Sequence, residues 1–260
     1  MEAAVEAAIE GIDMRVQHGE HPCIGAVDVI PFVPLGDTTM EQCAEGARRF
    51  AERVAERFAL PVYLYAEAAI RPERRGLAAI RRPGFAGLAG VMREPGHEPD
   101  FGPLRPHPTA GATAIGARPF LIAYNIQLST TDVAVAKRLA TRVRERDGGL
   151  PAVQALGLDL ASQGCAQLSM NILDHTRTPL WQLWEAVAQL AQQEHVSVLD
   201  SELVGLAPAA ALTEVADHIG VATGRPIADR ITEAARWLRI RRFDPSAALE
   251  LRLAAMRAAH

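Results

Sequence analysis

The residues best suited to chemistry stand at the entry to one apolar run. His21 closes the polar turn Gln17-His-Gly-Glu-His21 and precedes Pro22-Cys-Ile-Gly-Ala-Val-Asp28-Val-Ile-Pro31. Imidazole titrates near neutral pH, so a histidine at the mouth of a buried strand can take up and return a proton. Glu20 and Asp28 are close enough in sequence to orient such a ring and fix its tautomer. On pattern alone a surface turn leading into a core strand is the simpler reading, because most histidines are not catalytic.

A second set of candidates could hold an anionic or polar ligand. Arg118 follows Gly111-Ala-Thr-Ala-Ile-Gly116 and can grip a carboxylate with two parallel hydrogen bonds. Those glycines have P-loop spacing, but Ala117-Arg118 stands where Lys-Ser/Thr is required, which excludes nucleotide binding by that motif. The glycines instead suit close backbone approach or positive φ near a ligand. Asn125 and Gln127 alternate along one segment, and Gln167, Ser169 and Asn171 along another. A period of two puts each set on one face of a strand, so they predict an amide-lined patch on a sheet face free of helices. His97 and His107 flank Asp100-Phe-Gly-Pro103 without metal-ligand spacing. Arg71, Arg74, Arg75, Arg81 and Arg82 read as a solvated helix face.

The elements that must position these residues follow from periodicity. Residues 3–14 form a helix with Val5, Ala8, Ile9 and Ile12 on one face. Residues 26–35 form a strand. Thr38-x-x-Glu41 is a capping box, opening a helix whose apolar stripe runs from Met40 through Cys43, Ala47, Phe50 and Val54 to Phe58. Val62–Tyr65 is a short buried strand. Residues 70–119 hold helical pieces near 74–82 and 85–92 and then a loop, with six of the 17 prolines between Pro95 and Pro119. Loops this long are usually functional. From Phe120 the order is strand 120–128, helix to about Arg146 capped by Thr130 or Thr131, strands 153–162 and 165–174 around a Gln163-Gly164 hairpin, a helix after Thr178-Pro179, and strand 196–206. That is β-α-β-β-α-β, the ferredoxin-like order. Helices near 208–219, 226–238 and 246–258 follow.

Composition sets outer limits. The chain has 260 residues, 49% hydrophobic and 22% charged, which is ordinary for a globular protein with a real core. A net charge of −4 gives no electrostatic case for nucleic acid. The amides and serine of the open face also lack the aromatics that RNA-binding sheets use. Cys23, Cys43 and Cys165 are odd in number and far apart, which argues for a reducing, cytoplasmic setting and against a disulfide framework or zinc site. The acidic, amphipathic N-terminus is no signal peptide, and no apolar run is long enough to span a bilayer.

Taken together, Gly19-Glu-His-Pro22, Gly25-Ala-Val-Asp28, Pro31-Phe-Val-Pro34, Val62-Tyr-Leu-Tyr65, Asp100-Phe-Gly-Pro103, Gly116-Ala-Arg118, Phe120-Leu-Ile-Ala-Tyr-Asn-Ile126 and Leu203-Val-Gly-Leu206 resemble the glutamate formimidoyltransferase family, the transferase domain of formimidoyltransferase–cyclodeaminases. The resemblance runs in register over nearly the whole chain. It implies an α+β fold of two ferredoxin-like subdomains, here residues 1–118 and 119–260, with a folate-binding groove between them, and a homodimer. It implies transfer of a formimino group from N-formimino-L-glutamate to tetrahydrofolate as co-substrate, in histidine breakdown, with no metal. It makes His21 the catalytic histidine. It makes Gly102, Pro103, Leu104, Arg105, Pro106, His107, Pro108, Thr109, Ala110 and Gly111 the folate-binding segment. Arg118, Asn125, Gln127 and Asn171 are substrate-binding candidates from patterning rather than from the resemblance. Members of the family carry further strands ahead of the point matching Met1, so the first subdomain is expected to be N-terminally incomplete. Strand 26–35 would then have an unpaired edge. Formyl transfer, or an inactive folate-binding or dimerising fragment, are the alternatives.

Overall fold

The computed structural model describes residues 1–17, 22–160 and 163–258. The chain divides into two compact units, Met1–Pro119 and Phe120–His260. The fold is α+β.

In the first unit, helix α1 (Glu2–Gly11) is followed by β1 (Val29–Phe32), α2 (Met40–Phe58), β2 (Val62–Ala66), α3 (Leu77–Arg81), α4 (Gly84–Val91) and β3 (Thr113–Ala117). The strands lie in the order β1-β3-β2, and β3 runs parallel to both neighbours. The unit β1-α2-β2 is thus a split βαβ with β3 inserted between its strands. One face of the sheet packs on α2 through Ala47, Phe50, Val54, Leu64 and Ile115. Burying a side chain such as Phe50 or Val54 stabilises the fold by about 1.5–3 kcal/mol each. On the other face Tyr63, Tyr65 and Ala114 pack with Ile80 of α3 and Leu88 of α4.

Several expectations shift here. The strand expected at 26–35 is Val29–Phe32, because Asp28 takes a positive φ of 38° and ends the preceding turn. The capping box lies one residue later than expected. Thr39, not Thr38, accepts from the Gln42 amide at 3.2 Å, and the Gln42 side chain accepts from the Thr39 amide at 2.8 Å. Strand β3 lies where the sequence predicts a glycine-bearing loop. Every residue of Thr113–Ala117 is buried, as expected for a central parallel strand covered on both faces.

In the second unit, β4 (Ile122–Leu128), α5 (Val133–Val143), β5 (Val153–Leu160), β6 (Cys165–Ile172), α6 (Leu180–Gln193) and β7 (Val198–Val204) precede α7 (Ala209–His218), α8 (Ile227–Trp237) and α9 (Leu249–Ala258). The sheet order β5-β6-β4-β7, with every pairing antiparallel, is the ferredoxin-like one. Its core side carries Tyr124, Ile126, Leu168 and Met170 against Leu139, Leu183, Val187 and Leu212. Gly157 lets α5 lie directly on β5: a Cβ there would stand 2.3 Å from the Lys137 backbone nitrogen.

Two caps differ from the sequence reading. Asp132 caps α5 by accepting from Ala134 N at 2.8 Å, while Thr130 accepts from Asp132 N at 3.1 Å. Thr178 is buried, and its hydroxyl donates to the Pro151 carbonyl at 2.6 Å instead of capping α6.

Candidate functional site

His21 and Glu20 lie outside the described residues. The chain on either side of them is placed, and both flanks are tied to one partner segment. Met14 N donates to Thr109 O at 2.8 Å, and Ala26 N donates to Ala110 O at 3.0 Å. Ala112 N donates back to Ile24 O at 3.0 Å. Glycine permits this approach. A Cβ on Gly25 would stand 2.1 Å from the Ala112 carbonyl, and one on Gly111, at φ +69°, would stand 2.2 Å from the Ile24 carbonyl. The chain before and after the His21-bearing turn, at Met14 and at Ile24–Ala26, is therefore stitched by backbone to the end of the proline-rich segment.

Asp28 anchors the same stretch from within. Its Oδ1 accepts from Ile24 N at 2.9 Å, and its Oδ2 is paired with the Arg81 guanidinium of α3. One carboxylate oxygen therefore closes the turn that follows residue 22, and the other ties that turn to α3. At Cys23 beside them burial, and then the Asp28 charge, push the thiol pKa up, with Arg81 partly opposing.

The proline-rich segment Gly102–Gly111 is itself ordered by three devices. Asp100 N and Phe101 N donate to Val62 O, and Val62 N donates to Phe101 O at 2.9 Å, which fastens the segment's start to β2. Arg74, 4% exposed, locks that start: it donates to Asp100 Oδ2 at 2.7 Å and to the Gly96 carbonyl at 2.9 Å, and lies 5.1 Å over the Tyr63 ring. At the far end, His107 and Gly111 exchange backbone hydrogen bonds of 2.8 and 3.0 Å. His107 Nδ1 accepts from Ala110 N at 3.1 Å, so the neutral ring carries its proton on Nε2. Between these anchors lies a cavity of about 320 Å³ lined by Ala59, Pro103, Arg105, Pro106, His107 and Pro108. Its walls are mostly flat proline rings, with one cation and one imidazole as polar groups. Leu104 is exposed beside it, and Thr109 and Ala110 form the turn that meets Met14 and Ala26.

The arginine cluster divides: Arg75 and Arg82 are exposed, as a solvated face requires, whereas Arg74 is buried and Arg71 and Arg81 are half-buried. Besides Arg74 and Arg81, Arg71 pairs with Glu98 at 2.8 Å and Arg75 reaches Glu67 at 3.6 Å. Arg118 ends β3 half-buried, with Nη1 donating only to its own neighbour's carbonyl, Pro119 O, at 3.0 Å among the described residues.

In the second unit the alternating amides share one sheet face, with Asn125 opposite Ser169, Gln127 opposite Gln167 and Ala123 opposite Asn171. Gln127 and Gln167 are buried, at 2% and 4% exposure, while Asn125 and Asn171 are half-buried. In the amide orientation that satisfies its neighbours, Gln127 donates to Asp200 Oδ1 at 2.8 Å and accepts from Gln167 at 2.9 Å. Asn125 reaches Glu202 at 3.5 Å. Asp200 and Glu202 were missed in the sequence, although their alternation around Ser201 carries the same signal as the amides. This face offers both donors and carboxylate acceptors.

Among the described residues no group of three His, Cys, Asp or Glu is placed to hold a metal ion, and no helix is long and apolar enough to cross a membrane.

Comparison with known proteins bears on both units. Residues 1–118 match the family described as formiminotransferase domain, N-terminal subdomain, and residues 123–235 match the formiminotransferase domain. The chain belongs to the formiminotransferase family. Among relatives of this formiminotransferase chain, the glutamate formimidoyltransferase of Thermoplasma acidophilum is 46% identical over 218 residues, covering 83% of this chain and 72% of the relative. The glutamate formimidoyltransferase of Streptococcus pyogenes serotype M1 is 41% identical, covering 82% and 72%. The formimidoyltransferase-cyclodeaminase of Gallus gallus is 42% identical, covering 83% of this chain and 42% of the chicken protein.

Proposed function

We propose that this chain transfers the formimino group of N-formimino-L-glutamate to tetrahydrofolate, giving 5-formiminotetrahydrofolate and L-glutamate, as a step of histidine degradation and one-carbon metabolism. The observation that carries this reading is the double backbone anchorage of the His21-bearing stretch to Thr109–Ala112. It ties the chain on both sides of the proposed proton-transfer residue to the proposed folate segment, in a chain whose relatives are named for formimidoyl transfer. In this scheme N5 of tetrahydrofolate attacks the formimino carbon, and His21 takes the proton that N5 releases. His21 then delivers that proton to the departing glutamate nitrogen as the carbon–nitrogen bond breaks. The cavity of Pro103, Arg105, Pro106, His107 and Pro108 receives part of the folate, with Gly102, Leu104, Thr109, Ala110 and Gly111 shaping the segment. Arg118 takes a glutamate carboxylate. Asn125 and Asn171 bind polar substrate groups, whereas Gln127, buried and engaged by Asp200 and Gln167, supports that face instead of touching substrate as the sequence pattern predicts; Glu202 favours groups that carry N–H donors.

A cytoplasmic homodimer without a metal cofactor is part of the same reading, and three free cysteines agree with a reducing compartment. Transfer assayed on the purified chain and on His21→Ala tests the proposal. The variant is expected to lose about 10²–10⁴-fold in rate. Equal rates remove His21 from the chemistry, and no transfer by the parent chain with either formimino or formyl donors removes the reading itself.

A further inference from the structure

The three parallel strands of the first unit end together, at Phe32, Ala66 and Ala117, which are register partners across the sheet. Parallel sheets bind ligands beyond the carboxyl ends of their strands. At this end stands Tyr65, 3% exposed, whose hydroxyl meets no hydrogen-bond partner among the described residues. Buried polar groups are almost always satisfied, so an orphan calls for a reason. Gly116 makes the arrangement possible: a Cβ there would stand 2.5 Å from the Tyr65 ring.

Two guanidiniums attend the same phenol. Burial pushes the Tyr65 pKa up; Arg118, by its charge and by a side chain lying within reach of the hydroxyl without closing a well-formed bond, and then the charge of Arg81 pull against it. Arg81 is bound to Asp28 through Nη2, yet its Nε is buried and also unpartnered among the described residues. The cluster thus gathers unmet donors from Tyr65, Arg81 and Arg118. Two arginines against one aspartate leave one positive charge. Donors with a single excess positive charge match one carboxylate.

We propose that Tyr65, Arg81 and Arg118 form a carboxylate-binding site at the carboxyl end of the parallel sheet. The assignment rests on the transfer reading for its ligand, since N-formimino-L-glutamate and the glutamate tail of folate both carry such a group. Tyr65 and Arg81 thereby become binding residues beside Arg118.

Calorimetric titration of L-glutamate into the parent chain and Tyr65→Phe tests the site without turnover. Phenylalanine keeps the ring, and loss of an orphan hydroxyl leaves the Tm unchanged or higher. Glutamate affinity is expected to fall about tenfold or more, with the kinetic effect on KM for the formimino donor rather than on kcat. A second arm compares tetrahydrofolate with tetrahydropteroate, which lacks the glutamate tail. A Tyr65→Phe penalty seen with tetrahydrofolate only identifies the carboxylate as the acceptor's and also supports the site. Unchanged glutamate affinity together with an unchanged preference between the two acceptors overturns it. A weakened glutamate titration in a chain that transfers nothing keeps the site and removes the reaction.

Discussion

Arg74 shows how far a residue's setting can depart from its neighbourhood in sequence. It belongs to an arginine-rich stretch that reads as solvent-facing, yet its side chain is 5% exposed and paired with an equally buried Asp100. The partner lies 26 residues away, beyond the reach of any local periodicity. Cutting one half of a buried pair strands the other charge, which costs about 3–5 kcal/mol. Arg74→Ala is therefore expected to lower the urea midpoint of the first unit by that equivalent, and a loss within 1 kcal/mol would place the pair with ordinary exposed ones. Because Asp100 lies two residues before Gly102, a milder substitution that leaves the unit folded should, on the proposed function, still weaken tetrahydrofolate binding measured by titration. Local chemistry was legible only to within a residue: the Thr39–Gln42 box and the Asp132 cap each lie one or two positions beyond the expected threonine. Several side chains of one stretch can cap equally well, and tertiary packing chooses among them.

Long amphipathic stripes were legible in α2 and α6, but less so in α1, which ends at Gly11 with only Val5 buried and leaves Ile12 exposed outside the helix. The stripe Leu180, Leu183, Trp184, Val187 and Ala191 of α6 is buried as its spacing predicts, and the second sheet follows from alternation and turn signals. Strand β3 was not legible. Thr-Ala-Ile-Gly-Ala has no period of two because both faces are covered, and its glycine is spent on admitting the Tyr65 ring. The proposed site divides the same way. His21 and the proline-rich segment are candidates that motifs supply, whereas the proposed roles of Tyr65 and Arg81 depend on the folded sheet and α3 bringing them to one end. Gly157 offers an element-scale test, because its missing side chain sets the separation of α5 and β5. Gly157→Ala must push backbone apart and is expected to cost about 1–3 kcal/mol in the second unit. Circular dichroism during urea denaturation reads this directly, and an unshifted midpoint would mean that α5 does not need the close approach.

At the scale of the molecule, both units can be followed through the chain's three tyrosines. Tyr63 and Tyr65 lie in the first sheet and Tyr124 in the second, and burial pushes all three phenols up, Tyr63 to about 12. In the unfolded chain a phenol ionises near 10. The folded state therefore holds protons that the unfolded state has already released between these values. The linkage contribution is complete below about pH 10 and is lost as pH rises towards 12, so stability falls across that window. Phenolate absorbance and circular dichroism recorded together through an alkaline titration check this. Phenolate is expected to appear only as ellipticity is lost, since ionising the buried groups requires opening the sheets that hold them. A phenolate signal with an ordinary midpoint in a chain that keeps its ellipticity would show that these rings reach water. In that case the orphaned hydroxyl of Tyr65 would have solvent as its partner, and the case for a carboxylate beside it would have to rest on Arg81 and Arg118.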